Sequence, residues 1–112
     1  MRRKDFIVLK KVLSEIAVCF EMLGDASIED FLADEKLKRA VAMTVINIGE
    51  LVKNLSDEIR LQYSYIPWRA IAGMRDIAAH KYQTLRMEDV YNTVLSDFPP
   101  LKMNIETILR EQ

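Results

Sequence analysis

Residues 35–55, EKLKRAVAMTVINIGELVKNL, decide how the chain folds. Leu37, Ala40, Val41, Thr44, Val45, Ile48, Leu51, Val52 and Leu55 recur at steps of three and four, the spacing of one face of an α-helix. A strand would alternate in twos, and no such alternation is present. Gly49 lies inside the pattern although glycine costs a helix about 1 kcal/mol relative to alanine. Close approach of a second helix is the reading that accounts for it.

The same spacing extends to either side. Phe6, Leu9, Leu13, Ile16, Ala17, Phe20 and Leu23 predict a helix over residues 5–23, and Gly24 is placed to cap its C-terminus. Ser27 with Asp30 three residues on predicts a capped short helix over 28–33. Ser56, Asp57 and Glu58 begin a brief helical turn through Leu61. Pro67 suits the first position of a helix running from Trp68 to about Ala79, because its missing N–H would have had no partner there. Met87, Glu88 and Asp89 open another helix, which Pro99 and Pro100 should end or kink. Helical spacing resumes through Leu101, Ile105, Ile108 and Leu109.

Composition agrees with this all-α reading. Glycine and proline number three each in 112 residues, too few to punctuate a β protein. With no linker, repeat or low-complexity segment, residues 1–112 read as one domain. The most apolar stretch, 40–49, is interrupted by Thr44 and Asn47 and is too short to span a bilayer. The charged N-terminus lacks the apolar run of a signal peptide, so a soluble, cytoplasmic protein without membrane contact is expected. Cys19 is the only cysteine and His80 the only histidine, which removes an internal disulfide and argues against a structural zinc site.

The chemistry concentrates between Ile66 and Arg86. Arg69, Arg75, Lys81 and Arg86 oppose a single acid, Asp76, a local balance of +3 in a chain of net −1. Locally concentrated positive charge is what an anionic substrate requires, with a solvated surface as the plainer alternative. Histidine titrates near neutrality and can give or take a proton. Arginine offers a planar fork of N–H groups to phosphate oxygens. Together they suit phosphodiester cleavage, and the sequence shows no acidic metal-binding cluster, which fits a metal-independent route. Five residues of regular helix, however, turn the two side chains about 140° apart. Arg75 and His80 can therefore meet only if the helix ends near Ala79 or a second copy of the chain completes the cleft.

Arg75-x4-His80-x-Tyr82 is similar to the Arg-x4-His-x-Tyr signature of HepT-like members of the HEPN superfamily. Ile48-Gly49-Glu50, Leu55 to Glu58, Ile66-Pro67-Trp68, Gly73 to Asp76, and Pro99 with a leucine two residues later match the same family in order and approximate spacing. The resemblance covers residue 35 to the end, with a compatible first helix. It implies a homodimeric four- or five-helix bundle whose two copies share a cleft. It also implies a toxin of a type VII toxin–antitoxin system, an endoribonuclease using no cofactor and paired with a minimal nucleotidyltransferase (MNT) antitoxin. On that reading Arg75 and His80 are the catalytic pair, Asp76 supports them, and Tyr82 is the hydroxyl that receives AMP. A nucleotide on Tyr82 would add bulk and negative charge beside His80 and repel RNA. Alanines at 78 and 79 depart from bulkier apolar residues in many members, which bears on the shape of the cleft. The alternative is a non-catalytic helical dimer that is the binding partner and modification substrate of a nucleotidyltransferase.

Other candidates have plainer readings. Asn47 and Glu50 are read first as surface or interhelical hydrogen-bonding residues, with a place in the cleft second. Trp68 is read as a core or dimer contact before a base-stacking platform, and Cys19 as a small core residue.

Overall fold

The computed structural model describes residues 1–80 and 86–112, the side chains of 77–80 excepted. Its helices are α1 (Arg3–Leu23), α2 (Ile28–Ala33), α3 (Glu35–Lys53), α4 (Asp57–Gln62), α5 (Trp68–His80), α6 (Met87–Ser96) and α7 (Phe98–Arg110). Five of these span ten residues or more, and no strand occurs among the described residues. No described helix is long and apolar enough to cross a membrane.

Helix α3 is the centre. It packs against α5 on one side and α1 on the other, and also touches α2 and α6. Val41, Val45, Ile48 and Val52 of the expected stripe are buried, as is Thr44, whose hydroxyl donates to the Ala40 carbonyl at 2.9 Å. At Gly49 the backbones of α3 and α5 approach closely. A Cβ built there would lie 2.8 Å from Arg75 Cβ, 3.0 Å from Arg75 N and 3.2 Å from the Ala72 carbonyl oxygen. The expected close approach is therefore real, and any side chain would force the helices apart.

The first helix turns differently from expectation. Its buried line is Val8, Leu9, Val12, Ile16, Cys19 and Leu23, whereas Phe6 is 42 % exposed and Ala17 faces solvent. Asp5 is the reason the entry angle is fixed. Its buried carboxylate accepts from the Ser56 backbone N–H at 2.9 Å and the Ser56 hydroxyl at 2.6 Å. Ser56 Oγ in turn accepts from Ile59 N at 3.3 Å as the N-cap of α4. One carboxylate thus joins the start of α1 to the start of α4, satisfying a buried charge and an exposed helix end together.

Elsewhere the Gly24 and Ser27 caps and the core place of Trp68 are as expected, and further ties join the helices. Gly24 adopts φ +50° as it ends α1, a backbone conformation that side chains disfavour. Ser27 caps α2 through Asp30 N, and Asp34 caps α3 through Leu37 N. Trp68 is a core residue, 4 % exposed, with its indole N–H donating to the Tyr63 carbonyl at 3.1 Å. Tyr91 donates to the Ala26 carbonyl at 2.8 Å and sets its ring 5.4 Å from that of Phe31, tying α6 to α2. The prolines behave otherwise than expected. Helix α6 already ends at Ser96, and Pro99 and Pro100 sit in the first turn of α7, where a missing N–H costs nothing.

Cys19 is fully buried, and burial followed by the nearby Glu15 carboxylate pushes its thiol from 9.0 up to about 11. It is a core residue in chemistry as well as position.

Two glycines give opposite expectations. Gly49→Ala should destabilise the fold by about 1–3 kcal/mol, because overpacking outweighs the propensity gain. A Cβ at Gly73 meets nothing within 4 Å among the described residues, so Gly73→Ala should stabilise by up to about 1 kcal/mol. Urea unfolding midpoints of the two variants check the difference in sign.

Candidate active site

The closeness of α3 and α5 at Gly49 has a direct chemical consequence. The next residue on α3, Glu50, reaches Arg75, and its Oε2 forms an ion pair with Arg75 Nε at 2.6 Å. Asp76 accepts from Arg75 Nη1 at 2.8 Å. The Arg75 side chain is 31 % exposed, and two carboxylates from different helices hold its guanidinium. A guanidinium has five N–H donors, of which one goes to Asp76 while Glu50 lies against the Nε edge as an ion pair. The others have no partner among the described residues and remain for an anion.

Glu50 therefore has the interhelical role first read for it, and the charge count along the sequence needs amending. Arg75 contributes to the local positive balance, but an acid 25 positions away offsets it. Arg86 makes a looser contact of 3.7 Å with Glu88. Arg69 is exposed. Lys81 lies outside the described residues.

The backbone is helical through position 80. Positions 75 and 80 thus stand about 140° apart around the axis of α5 and about 7.5 Å along it. The described helix reaches His80, within a residue of the end expected near Ala79, so both ways in which Arg75 and His80 could converge stand open. The side chain of His80 and all of Tyr82 lie outside the described residues. The arrangement brings together Arg75, Asp76 and Glu50, and Glu50 is the member that its place on an amphipathic helix did not single out.

Beside this cluster the groove between α1 and α3 is lined by Lys11, Ser14, Glu15, Asn47, Glu50 and Leu51. Asn47 Nδ2 donates to Glu15 Oε1 at 3.1 Å across it. Among the described residues no three His, Cys, Asp or Glu side chains are placed to hold a metal ion.

Comparison with known proteins places this arrangement in context. The family model described as Ribonuclease HepT-like matches residues 12–108. The chain belongs to that family. The HepT-like match takes in both partners of the Glu50–Arg75 contact and the whole Arg75-x4-His80-x-Tyr82 motif. Among relatives, a candidate RNase of Caldanaerobacter subterraneus subsp. tengcongensis is 36% identical over 104 residues, covering 93% of each chain. A protein of Thermococcus cleftensis named "Probable ribonuclease HepT" is 32% identical over 108 residues, 96% of this chain and 98% of that one. A Methanocaldococcus jannaschii protein, named as a gamma-glutamylcyclotransferase and candidate RNase, is 36% identical over 111 residues. This HepT-like chain corresponds to 50% of that longer protein. No solved structure matches.

The Glu50 contact makes a spectroscopic prediction. In a 15N-labelled sample the Arg75 Nε–H signal should be resolved and slow to exchange with solvent. In Glu50→Gln it should shift and exchange at least several-fold faster, while backbone amide signals outside the α3–α5 contact stay in place.

Proposed function

We propose that this chain is a metal-independent endoribonuclease, the toxin half of a toxin–antitoxin pair, with Arg75 and His80 as its catalytic pair. The single observation that carries the reading is Arg75 itself, a half-buried guanidinium held by Glu50 and Asp76, with further N–H groups that have no partner among the described residues. Membership of the HepT-like family and the RNase names of its relatives support the substrate class.

The chemistry follows from these groups. A ribose 2′-hydroxyl loses its proton to a base and attacks the adjacent phosphorus. The bond to the 5′-oxygen breaks, and that oxygen takes a proton. The products carry a 2′,3′-cyclic phosphate and a 5′-hydroxyl. His80 serves the proton transfers, since imidazole can hold or release a proton near neutral pH. Arg75 donates to the phosphate oxygens, where charge accumulates during attack. Two carboxylates on Arg75 weaken its pull on a resting phosphate but hold the guanidinium ready for the more highly charged transition state, where the contact accelerates the reaction. Asp76 and Glu50 are positioning residues in this scheme.

The turn of about 140° between positions 75 and 80 on α5 supports a cleft shared by two copies, with Arg75 of one copy working beside His80 of the other. Tyr82 is the control point. Its hydroxyl would attack the α-phosphorus of ATP held by an MNT-type nucleotidyltransferase antitoxin, forming O-AMP-tyrosine and releasing pyrophosphate. The added phosphate would repel RNA from the cleft.

RNA cleavage by purified protein tests the proposal. Wild type should leave 2′,3′-cyclic phosphate ends, and Arg75→Ala or His80→Ala should slow cleavage by about a hundredfold or more. Mixing the two variants under conditions of subunit exchange should restore part of the activity, because one shared cleft in each mixed dimer is then intact. Mixtures as inactive as their components would show that each copy uses its own pair. Cleavage unaffected by either substitution would end the nuclease assignment. AMP found on Tyr82 with no cleavage by unmodified protein would instead favour the non-catalytic partner.

A further inference from the structure

The groove between α1 and α3 begins at Glu50, the residue whose other role is to hold Arg75. Its volume of about 330 Å³ lies at the small end of the range for small-molecule sites, about 300–1,000 Å³. A strand whose phosphate met Arg75 would thus have a neighbouring base within reach of the groove.

The groups in the groove say which part of a nucleotide fits. With Glu50 paired to Arg75, Glu15 balances Lys11 in the groove, so no excess positive charge is left there for a phosphate. A neutral group that presents N–H donors is favoured. Asn47 Nδ2 is committed to Glu15 Oε1 at 3.1 Å, which turns the amide so that Oδ1 is the atom left to accept. The second Glu15 oxygen is a further acceptor. Both residues are half-buried, and Leu51 and the aliphatic stem of Lys11 supply carbon surface for a flat ring. Carboxylate and amide acceptors read the amino groups of bases. Guanine offers its N1–H and N2 amino donors side by side, adenine and cytosine offer one amino group, and uracil offers none.

We propose that the α1–α3 groove is a nucleobase pocket that selects an amino-bearing base, guanine foremost, next to the phosphate held by Arg75, with Glu15 and Asn47 as the reading residues. This rests on the ribonuclease reading above. It assigns to that site a specificity carried by α1 and α3, away from the Arg75-x4-His80 segment.

Cleavage of short RNAs that differ only in the bases flanking one site provides the test. Wild type should cut a guanine-flanked site about tenfold faster than a uracil-flanked one. Inosine in place of guanine, which lacks the N2 amino group, should lose much of that advantage. Glu15→Gln and Asn47→Ala should each reduce the preference in whatever cleavage they retain, and the inosine comparison needs no variant to fold. Cleavage by wild type that does not distinguish guanine, inosine and uracil overturns the pocket and leaves the nuclease assignment standing. Variants that fold and keep the wild-type preference also overturn it. A wild-type protein that cleaves no RNA overturns both readings together.

Discussion

At Gly49 the central helix comes so near to α5 that a single methyl group would sit 2.8 Å from Arg75 Cβ. Most of the functional architecture depends on that closeness. It lets the next residue, Glu50, bridge to Arg75 Nε at 2.6 Å. It also sets the depth at which Arg75 stands, so that its guanidinium is 31 % exposed and neither buried nor free. Were the helices spread by a side chain at position 49, the carboxylate and the guanidinium would each turn to water. A loose surface arginine loses rotational freedom when it meets a phosphate, whereas a held one has lost it already.

The fold is carried by two kinds of interaction on either side of α3. Apolar burial along Val41, Val45, Ile48 and Val52 is non-directional and holds the helix in the middle of the bundle. Directional polar ties then fix the geometry: Asp5 to Ser56 joins α1 to α4, Asn47 to Glu15 joins α3 to α1, and Glu50 to Arg75 joins α3 to α5. No buried polar side-chain atom among the described residues lacks a partner. Burial alone would allow the helices to slide or rotate, and these ties are what oppose such motion.

How legible this was in the sequence depended on whether the decisive contact is local. The α3 stripe, the Gly24 cap and the serine caps are set by residues within one turn of one another, and all are as read. Helix α1 is different because apolar residues occupy much of its circumference. Its buried face is chosen by what packs on it and by the Asp5–Ser56 tie 51 positions away, so Phe6, inward by spacing alone, lies outward. Pro99 and Pro100 permit either the end of one helix or the first turn of the next, and their local rule does not distinguish the two. At the candidate site Arg75 and Asp76 stood out by motif and by charge. Glu50 did not, because on a helical wheel it is one more acid near the edge of an apolar stripe. Its partner comes from another helix, and the sequence offers an interhelical role for Glu50 without naming that partner.

On the proposed function, Glu50 acts on RNA chemistry by orienting Arg75, and its partly exposed ion pair fixes local geometry while adding little to overall stability. Single-turnover cleavage by Glu50→Gln, which preserves side-chain shape and removes the charge, tests it most directly. The rate should fall about tenfold below wild type, a barrier increase of about 1.4 kcal/mol, with an unfolding midpoint close to wild type. A rate equal to that of wild type in a folded Glu50→Gln protein would contradict it.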